Sequence, residues 1–294
     1  MVLGKYQNGN YTVLINDDGT KIRKTEEDSF IPEFAESMDM TITEYCDGNC
    51  PWCYAGCSLE GKYCDFSKYD KLLNSLHPYT ELAINGNDLS HPQLEEFLTR
   101  MKEQKVIVNM TVNQLHFERK IDYIRSLVDR ELIHGLGISL RNATPEFAAM
   151  VREFPNAIIH VINGLFTVDD LKTLMLQNLK LLILGYKDLG RGIDYKNATL
   201  STIKENQKWL FDNLWMYIGF FKCVAFDNLA LEQLYVRRLF TSEQWEKTYM
   251  GDEATFTFFI NLVQGYYAGS SLMPEHHLIG DKTVDEMFAD IKEK

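Results

Sequence analysis

The chain has 294 residues, enough for one large α/β unit or two small ones with a substantial buried core. Hydrophobic residues make up 45% and charged residues 24%, an ordinary globular composition, and no run of about 18 apolar residues points to a membrane-spanning helix. The net charge of −12 repels phosphate backbones and disfavours nucleic acid as a partner, although a local basic patch could override it.

Taken in chain order, the opening MVLGKYQNGNYTV has no apolar signal-peptide core, so a cytoplasmic address with no membrane attachment is the expectation. Residues 5–25 alternate polar and apolar types around two turn signals, Asn8-Gly9 and Asp18-Gly19, which predicts a small β-hairpin or ribbon. From residue 38 strand-like runs alternate with helical patterns. The strands are expected at 38–43, 81–85, 106–111, 136–140, 157–162 and 180–185, the helices at 67–76, 92–103, 118–132, 145–154 and 168–176. In 145–154, for example, Phe147, Met150, Val151 and Phe154 share one helical face. Pro92 and Pro145 suit a first helical turn, with Asp88 or Ser90 as a cap for one helix and Thr144 for the other. A helix at 200–213, a seventh strand at 218–226, a further strand at 255–262 and a closing helix at 284–292 complete the chain. Strand–helix alternation implies a parallel sheet with right-handed crossovers. The expected fold is α/β: a partial (β/α)6 TIM-like barrel with an N-terminal β-hairpin and a C-terminal α/β extension, divided as 1–35, 36–227 and 228–294.

Six cysteines occur, and five of them fall between 46 and 64: Cys46, Cys50, Cys53, Cys57 and Cys64, with Cys223 apart. A tight group in a large chain without a signal peptide points to metal or catalysis rather than to a disulfide scaffold. The segment Thr43-Glu-Tyr-Cys46-Asp-Gly-Asn-Cys50-Pro-Trp-Cys53 has the spacing C-x3-C-x2-C directly after the first barrel strand. Three thiolates in so short a loop can converge on an iron–sulfur cluster and leave one iron open. The alternative is a zinc knuckle completed by Cys57 or Cys64, although structural zinc prefers paired C-x2-C arms. Cys57 and Cys64 are too few to hold a second four-thiolate cluster and read as structural.

Cysteines so spaced, with Trp52 in the aromatic slot, resemble the signature of the radical S-adenosylmethionine (radical SAM) superfamily, over an architecture spanning roughly 38–227. The resemblance implies an enzyme with a [4Fe-4S] cluster on Cys46, Cys50 and Cys53. It implies that the open iron chelates SAM, that reduction by a donor such as flavodoxin or ferredoxin cleaves SAM, and that the 5′-deoxyadenosyl radical takes a hydrogen atom from the substrate. The family's second motif, usually Gly-Gly-Glu-Pro, is matched only in part by Asn85-Gly86-Asn87-Asp88, where an Asn carbonyl or the Asp88 carboxylate could accept from an ammonium group. The resemblance further implies SAM contacts at Ser139 and Arg141 after the fourth strand and an apolar contact to adenine at Ile162. His160 reads as a satisfied sheet histidine and His276-His277 as surface.

Lys187 and Arg191, in a glycine-flanked loop, are candidate substrate-binding cations, and Cys223 is a candidate hydrogen-atom donor or a buried packing cysteine. A peptide side chain or a small metabolite is the expected substrate. The alternatives are a nucleotide or nucleic-acid base, a partner protein that receives a glycyl radical, or no catalysis at all, the chain serving as a scaffold that binds SAM and iron–sulfur.

Overall fold

The computed structural model describes residues 1–293. Each of the two N-terminal turn signals joins a pair of strands: β1 (Val2–Asn8), β2 (Tyr11–Asn16) and β3 (Lys21–Lys24) form a three-stranded antiparallel ribbon, one strand more than the expected hairpin. The strand–helix alternation then runs as β4 (Ser37–Thr41), α1 (Asp70–Asn74), β5 (Glu81–Ile84), α2 (Leu94–Glu103) and β6 (Ile107–Asn113). It continues with α3 (Gln114–Arg119), α4 (Ile121–Asp129), β7 (Gly135–Ser139), α5 (Pro145–Arg152), β8 (Ala157–Ile162), α6 (Val168–Leu174) and β9 (Lys180–Leu184). After α7 (Arg191–Tyr217) come β10 (Cys223–Phe226), α8 (Asn228–Gln233), α9 (Ser242–Thr248), β11 (Thr257–Asn261), β12 (Tyr266–Ala268), β13 (His277–Leu278) and α10 (Val284–Lys292).

Local chemistry accounts for several boundaries. Thr144 caps α5 by accepting from the Phe147 N–H, and Pro145 follows it in the first turn. The single helix expected at 118–132 is two helices, because Asn113 at the end of β6 caps α3 early and the chain resets at Lys120. Asp88 and Ser90 do not cap α2, whose N-terminus at Gln93 has no side-chain cap. The expected seventh strand shortens to Cys223–Phe226, since 218–220 form a 3-10 turn.

The barrel expectation is overturned. Among the described residues ten strands form one open sheet in the order β10-β9-β8-β7-β6-β5-β4-β11-β12-β13. The free edge of β4, which a closing barrel strand would need, is taken by β11 in parallel register, and β12 and β13 follow antiparallel. β10 pairs only with β9, so the sheet does not close.

The two faces of the sheet explain this. Met38 and Met40 of β4, Val108 and Met110 of β6, and Ile159 and Val161 of β8 point to the helices and are buried in the main core. Each such side chain contributes about 1.5–3 kcal/mol. Many of the alternate positions are small or polar and keep some exposure: Asp39, Ala83, Asn109, Thr111, Gly135 and His160. A closed barrel fills its interior with layers of bulky branched residues, whereas from β4 to β7 this face offers only Ile107, its other large aliphatic residues being gathered on β8 and β9 as Ile158, Ile162, Leu182 and Leu184. The sheet still curls. Lys187, which follows β9, donates to Ser271 beyond β12 at 3.2 Å. Asp227 after β10 and Asp39 on β4 also feel each other's charge. In a flat sheet the six strand spacings between them would come to about 29 Å. The segment before β11 spans the gap, Asn228 donating to the Gly251 carbonyl and Arg23 of β3 to the Met250 carbonyl.

Candidate functional site

The parallel strands end on one side of the sheet, and the cysteine loop rises there from the end of β4. It is held as a closed loop by its own return strand: Glu44 N–H donates to Lys62 O, Ser58 N–H to Glu44 O, and Cys46 N–H to Ser58 O, at 2.8 to 3.1 Å. The Gly48 N–H lies 3.3 Å from Cys46 Sγ. Asn113 does double duty at the end of β6: its Oδ1 caps α3 and its Nδ2 donates to Cys50 Sγ at 3.3 Å. Asp47, between the first two cysteines, accepts from His116 Nε2 at 2.6 Å, from Arg119 at 3.1 Å and from Asn87 Nδ2 at 3.2 Å. Partial burial works against the Asp47 carboxylate, but the hydrogen bond and charge of His116, a backbone hydrogen bond and the charge of Arg119 together outweigh it and hold the group below the usual range.

Arg191 is the strongest tie. Its guanidinium donates to the carbonyls of Cys50 at 3.1 Å and Cys57 at 2.9 Å, and its backbone N–H donates to Cys53 O at 3.1 Å. The preceding Gly190 permits this approach: at φ +52 it lies so close that a Cβ would sit 2.4 Å from Tyr54 O. Arg191 therefore clamps the loop instead of standing free for substrate. Lys187 is also engaged, with its ammonium on Ser271 and 4.1 Å from the Tyr54 ring centre.

The three thiols are near enough to influence one another's ionisation. Burial pushes Cys46 and Cys50 up, the Gly48 N–H opposing this at Cys46 and Arg141 at Cys50. Cys53 is lowered, the neighbouring Cys57 thiol being the chief cause. Cys57 thus lies against the motif, and its carbonyl is held by Arg191 as well. Cys64 is separate: it is buried beside His91, and burial pushes it up to about 12. Among the described residues no group of three His, Cys, Asp or Glu side chains is arranged to hold a metal ion. Four thiolates on one zinc would be drawn to about 3.8 Å apart by bonds of about 2.3 Å. The donor set of three soft thiolates, two of them with N–H donors on sulfur, does fit the chemistry of an iron–sulfur ligand set.

Beside the loop a cavity of about 270 Å³ is lined by Trp52, Arg141 and Ile162, together with Tyr195, Thr199 and Asn206. Trp52 meets Tyr195 edge-on at 5.5 Å. Gln114 shapes this wall by accepting from the N–H groups of Arg141 and Asn142, and Arg141 reaches back toward Gly48 O at 3.4 Å. Ser139 sits half-buried at the end of β7, in register with Asn113 and His160. The Asn85–Asp88 turn divides. Asn85 and Gly86 remain half-buried at the strand end, Asn87 holds Asp47, and Asp88 is wholly buried with both carboxylate oxygens unpaired and its pKa driven well up by burial. Asp88 is not presented to the cavity as an acceptor.

Cys223 lies far from this assembly. It is exposed and pairs with Lys180 at the start of β10, the opposite end of the sheet from the cysteine loop, so the structure supports neither the hydrogen-donor nor the buried-packing reading. His160 is a sheet histidine as expected, standing on the part-exposed inner face of β8. Its ring occupies the space left by Gly137, where a Cβ would come within 2.5 Å of it, and burial lowers its pKa to about 4. Sequence reasoning missed Asn113, His116, Gln114 and Tyr195. Only Asn113 carried a local signal, an Asn at a strand end before a helical run.

No family model matches the chain, and no curated protein matches it. Among solved structures it is similar to Streptococcus suis SuiB bound to S-adenosylmethionine, with a TM-score of 0.60 at 11% identity, covering 98% of this chain and 86% of that one. At that identity the likeness is one of fold. Among the described residues no helix is long and apolar enough to cross a membrane.

Proposed function

We propose that this chain is a radical SAM enzyme whose [4Fe-4S] cluster is held by Cys46, Cys50 and Cys53, and that it takes a hydrogen atom from a peptide side chain or a small metabolite. The observation that carries the reading is the clamped C-x3-C-x2-C loop at the strand ends, beside a cavity that gathers Trp52, Arg141 and Ile162. The SAM bound to the similarly folded SuiB supports it. When bound, the cluster and SAM would supply the electron and the 5′-deoxyadenosyl radical.

The chain's own residues do the positioning. Asn113 and the Gly48 N–H stabilise charge on sulfur, and Arg191 fixes the carbonyls of the loop. The Arg141 guanidinium, planar and at the cavity wall, suits a carboxylate. Trp52, Ile162 and Tyr195 offer apolar surface to a flat ring and keep water from it. The curled inner face of the sheet, mostly small and polar from β4 to β7, leaves room beneath the loop for a substrate.

The test is anaerobic reconstitution with iron and sulfide. The expected result is about four irons per chain, lost in the Cys46→Ala/Cys50→Ala/Cys53→Ala variant, with reductant-dependent formation of 5′-deoxyadenosine from SAM. A chain that binds one zinc and never cleaves SAM would overturn the reading.

A further inference from the structure

Inside the curl, one row of the inner face runs Phe259, Asp39, Ala83, Asn109, Gly135 across five neighbouring strands. Ala83 has almost no side chain, and Asn109 leans over Gly135, its Oδ1 2.5 Å from where a Cβ would stand. Asn109 is already committed, donating to Glu81 at 3.1 Å and accepting from the Gly135 N–H at 3.0 Å. Asp39 is different. It is open to solvent within the curl although protein surrounds it, and among the described residues no hydrogen bond or ion pair engages its carboxylate.

The other carboxylates near this floor are matched. Glu81 pairs with Lys21 at 2.7 Å, and Glu36 with Arg23 at 2.7 Å and Lys21 at 3.3 Å. The fold thus supplies a cation to each of them and leaves Asp39 without one. The charges that reach Asp39 are the Lys187 ammonium on one side and the Glu253 and Asp227 carboxylates on the other. Lys187 is occupied by Ser271 and the Tyr54 ring. With Asp39 itself, three negative groups face one positive group, a field that repels anions and draws cations.

We propose that Asp39 is the seat for a cationic group, an ammonium or a guanidinium, on the molecule that enters the curl. Taking that molecule to be the substrate rests on the enzymatic reading above; the seat itself does not. Position on β4 supplies a ruler. Asp39 lies four residues before Thr43, where the cysteine loop begins, which is about 13 Å along an extended strand. The cation is therefore held at that depth while the rest of the molecule extends toward the loop. A lysine-like or arginine-like side chain, or a free amine at the end of a short aliphatic stem, meets this requirement, and an anionic or phosphorylated group does not.

The experiment uses the whole chain and two probes that differ by the terminal ammonium group, Nα-acetyl-lysine methylamide and Nα-acetylnorleucine methylamide, with binding followed by protein-observed NMR titration. The lysine derivative should bind at least about tenfold more tightly than its neutral partner, the scale of one charge-assisted hydrogen bond. Asp39→Asn should erase that preference, and Asp39→Glu, which keeps the charge, should restore part of it. Because the preference is measured between two probes on one protein, loss of fold is seen separately, as loss of both. Equal binding of the two probes by the wild-type chain, or an undiminished preference in Asp39→Asn, would overturn the proposal. None of these arms needs a cluster or SAM. If the preference holds and 5′-deoxyadenosine never forms, the seat stands and the chemistry falls. If 5′-deoxyadenosine forms and no preference exists, the seat falls and the chemistry stands.

Discussion

The two ends of the parallel sheet are built on opposite plans. At the end where the strands begin, every buried charge has a partner. Glu36 has no exposed surface, yet it accepts from Arg23 through two nitrogens and from the Tyr11 hydroxyl, with Lys21 close by. The N-terminal ribbon is thereby fastened across the floor of the curl. At the end where the strands finish, the groups are less completely matched: Asp88 lacks partners, Cys46 and Cys50 are pushed up by burial, and of the three motif thiols Cys53 alone is lowered. Incompletely matched polar groups cost stability, so their concentration at one end marks where the fold keeps groups for something other than itself.

Breaking the matched end should give the largest change in stability. Glu36→Ala leaves Arg23 without its carboxylate and should cost about 3 kcal/mol, seen as a lower midpoint in urea with little change in the cysteine loop. Its pH dependence follows from the direction of its shift. Burial raises the Glu36 pKa, but the Arg23 hydrogen bond and the charges of Lys21 and Arg23 outweigh this and hold it below the ordinary value. A depressed carboxylate contributes stability that is present above its unfolded pKa and lost as pH falls through its folded one. Stability should therefore drop on acidification from the ordinary glutamate range downward, and Glu36→Gln should flatten that part of the curve.

At the other end, Arg191→Ala removes the hydrogen bonds to two loop carbonyls. A cost of about 2 kcal/mol is expected, together with faster hydrogen exchange over 46–57 and reduced iron retention. Unchanged exchange in the loop would show that the clamp does not hold it. A smaller effect separates the two roles of Asn113. Asn113→Asp keeps the cap on α3 and loses the donor to Cys50, whereas Asn113→Ala loses both and should cost about 1 kcal/mol more. Helical exchange at 115–117 reads the cap, and cysteine alkylation rates read the sulfur contact. Smallest of all, Cys223→Ser should leave iron content and SAM cleavage unchanged, since Cys223 opens β10 at the far end.

What was legible in the sequence was local. The strands cored by Met38 and Met40, Val108 and Met110, and Ile159 and Val161 declare themselves by alternation, and Thr144-Pro145 declares its helix. The partner of β4 was not legible, because pairing between Ser37 and Thr257 depends on which edge stays free after the intervening strands have assembled. Arg191 and Lys187 read alike in a glycine-flanked loop, and only the approach of the cysteine loop distinguishes a clamp from a free cation. Asp88 read as a helix cap or an acceptor, while the backbone turns it inward. Cys57 looked separate from the motif because its nearness to Cys53 depends on how the loop folds back, not on spacing.

The placement of β11 beside β4 also sets an order of assembly. β4 is made early, yet one of its two neighbours comes from near the other end of the chain. Pairings so distant in sequence close slowly, because the intervening chain must be restrained first. The strand that launches the cysteine loop is thus among the last to be secured on both sides, although the loop itself is held by residues that precede β11 in the chain.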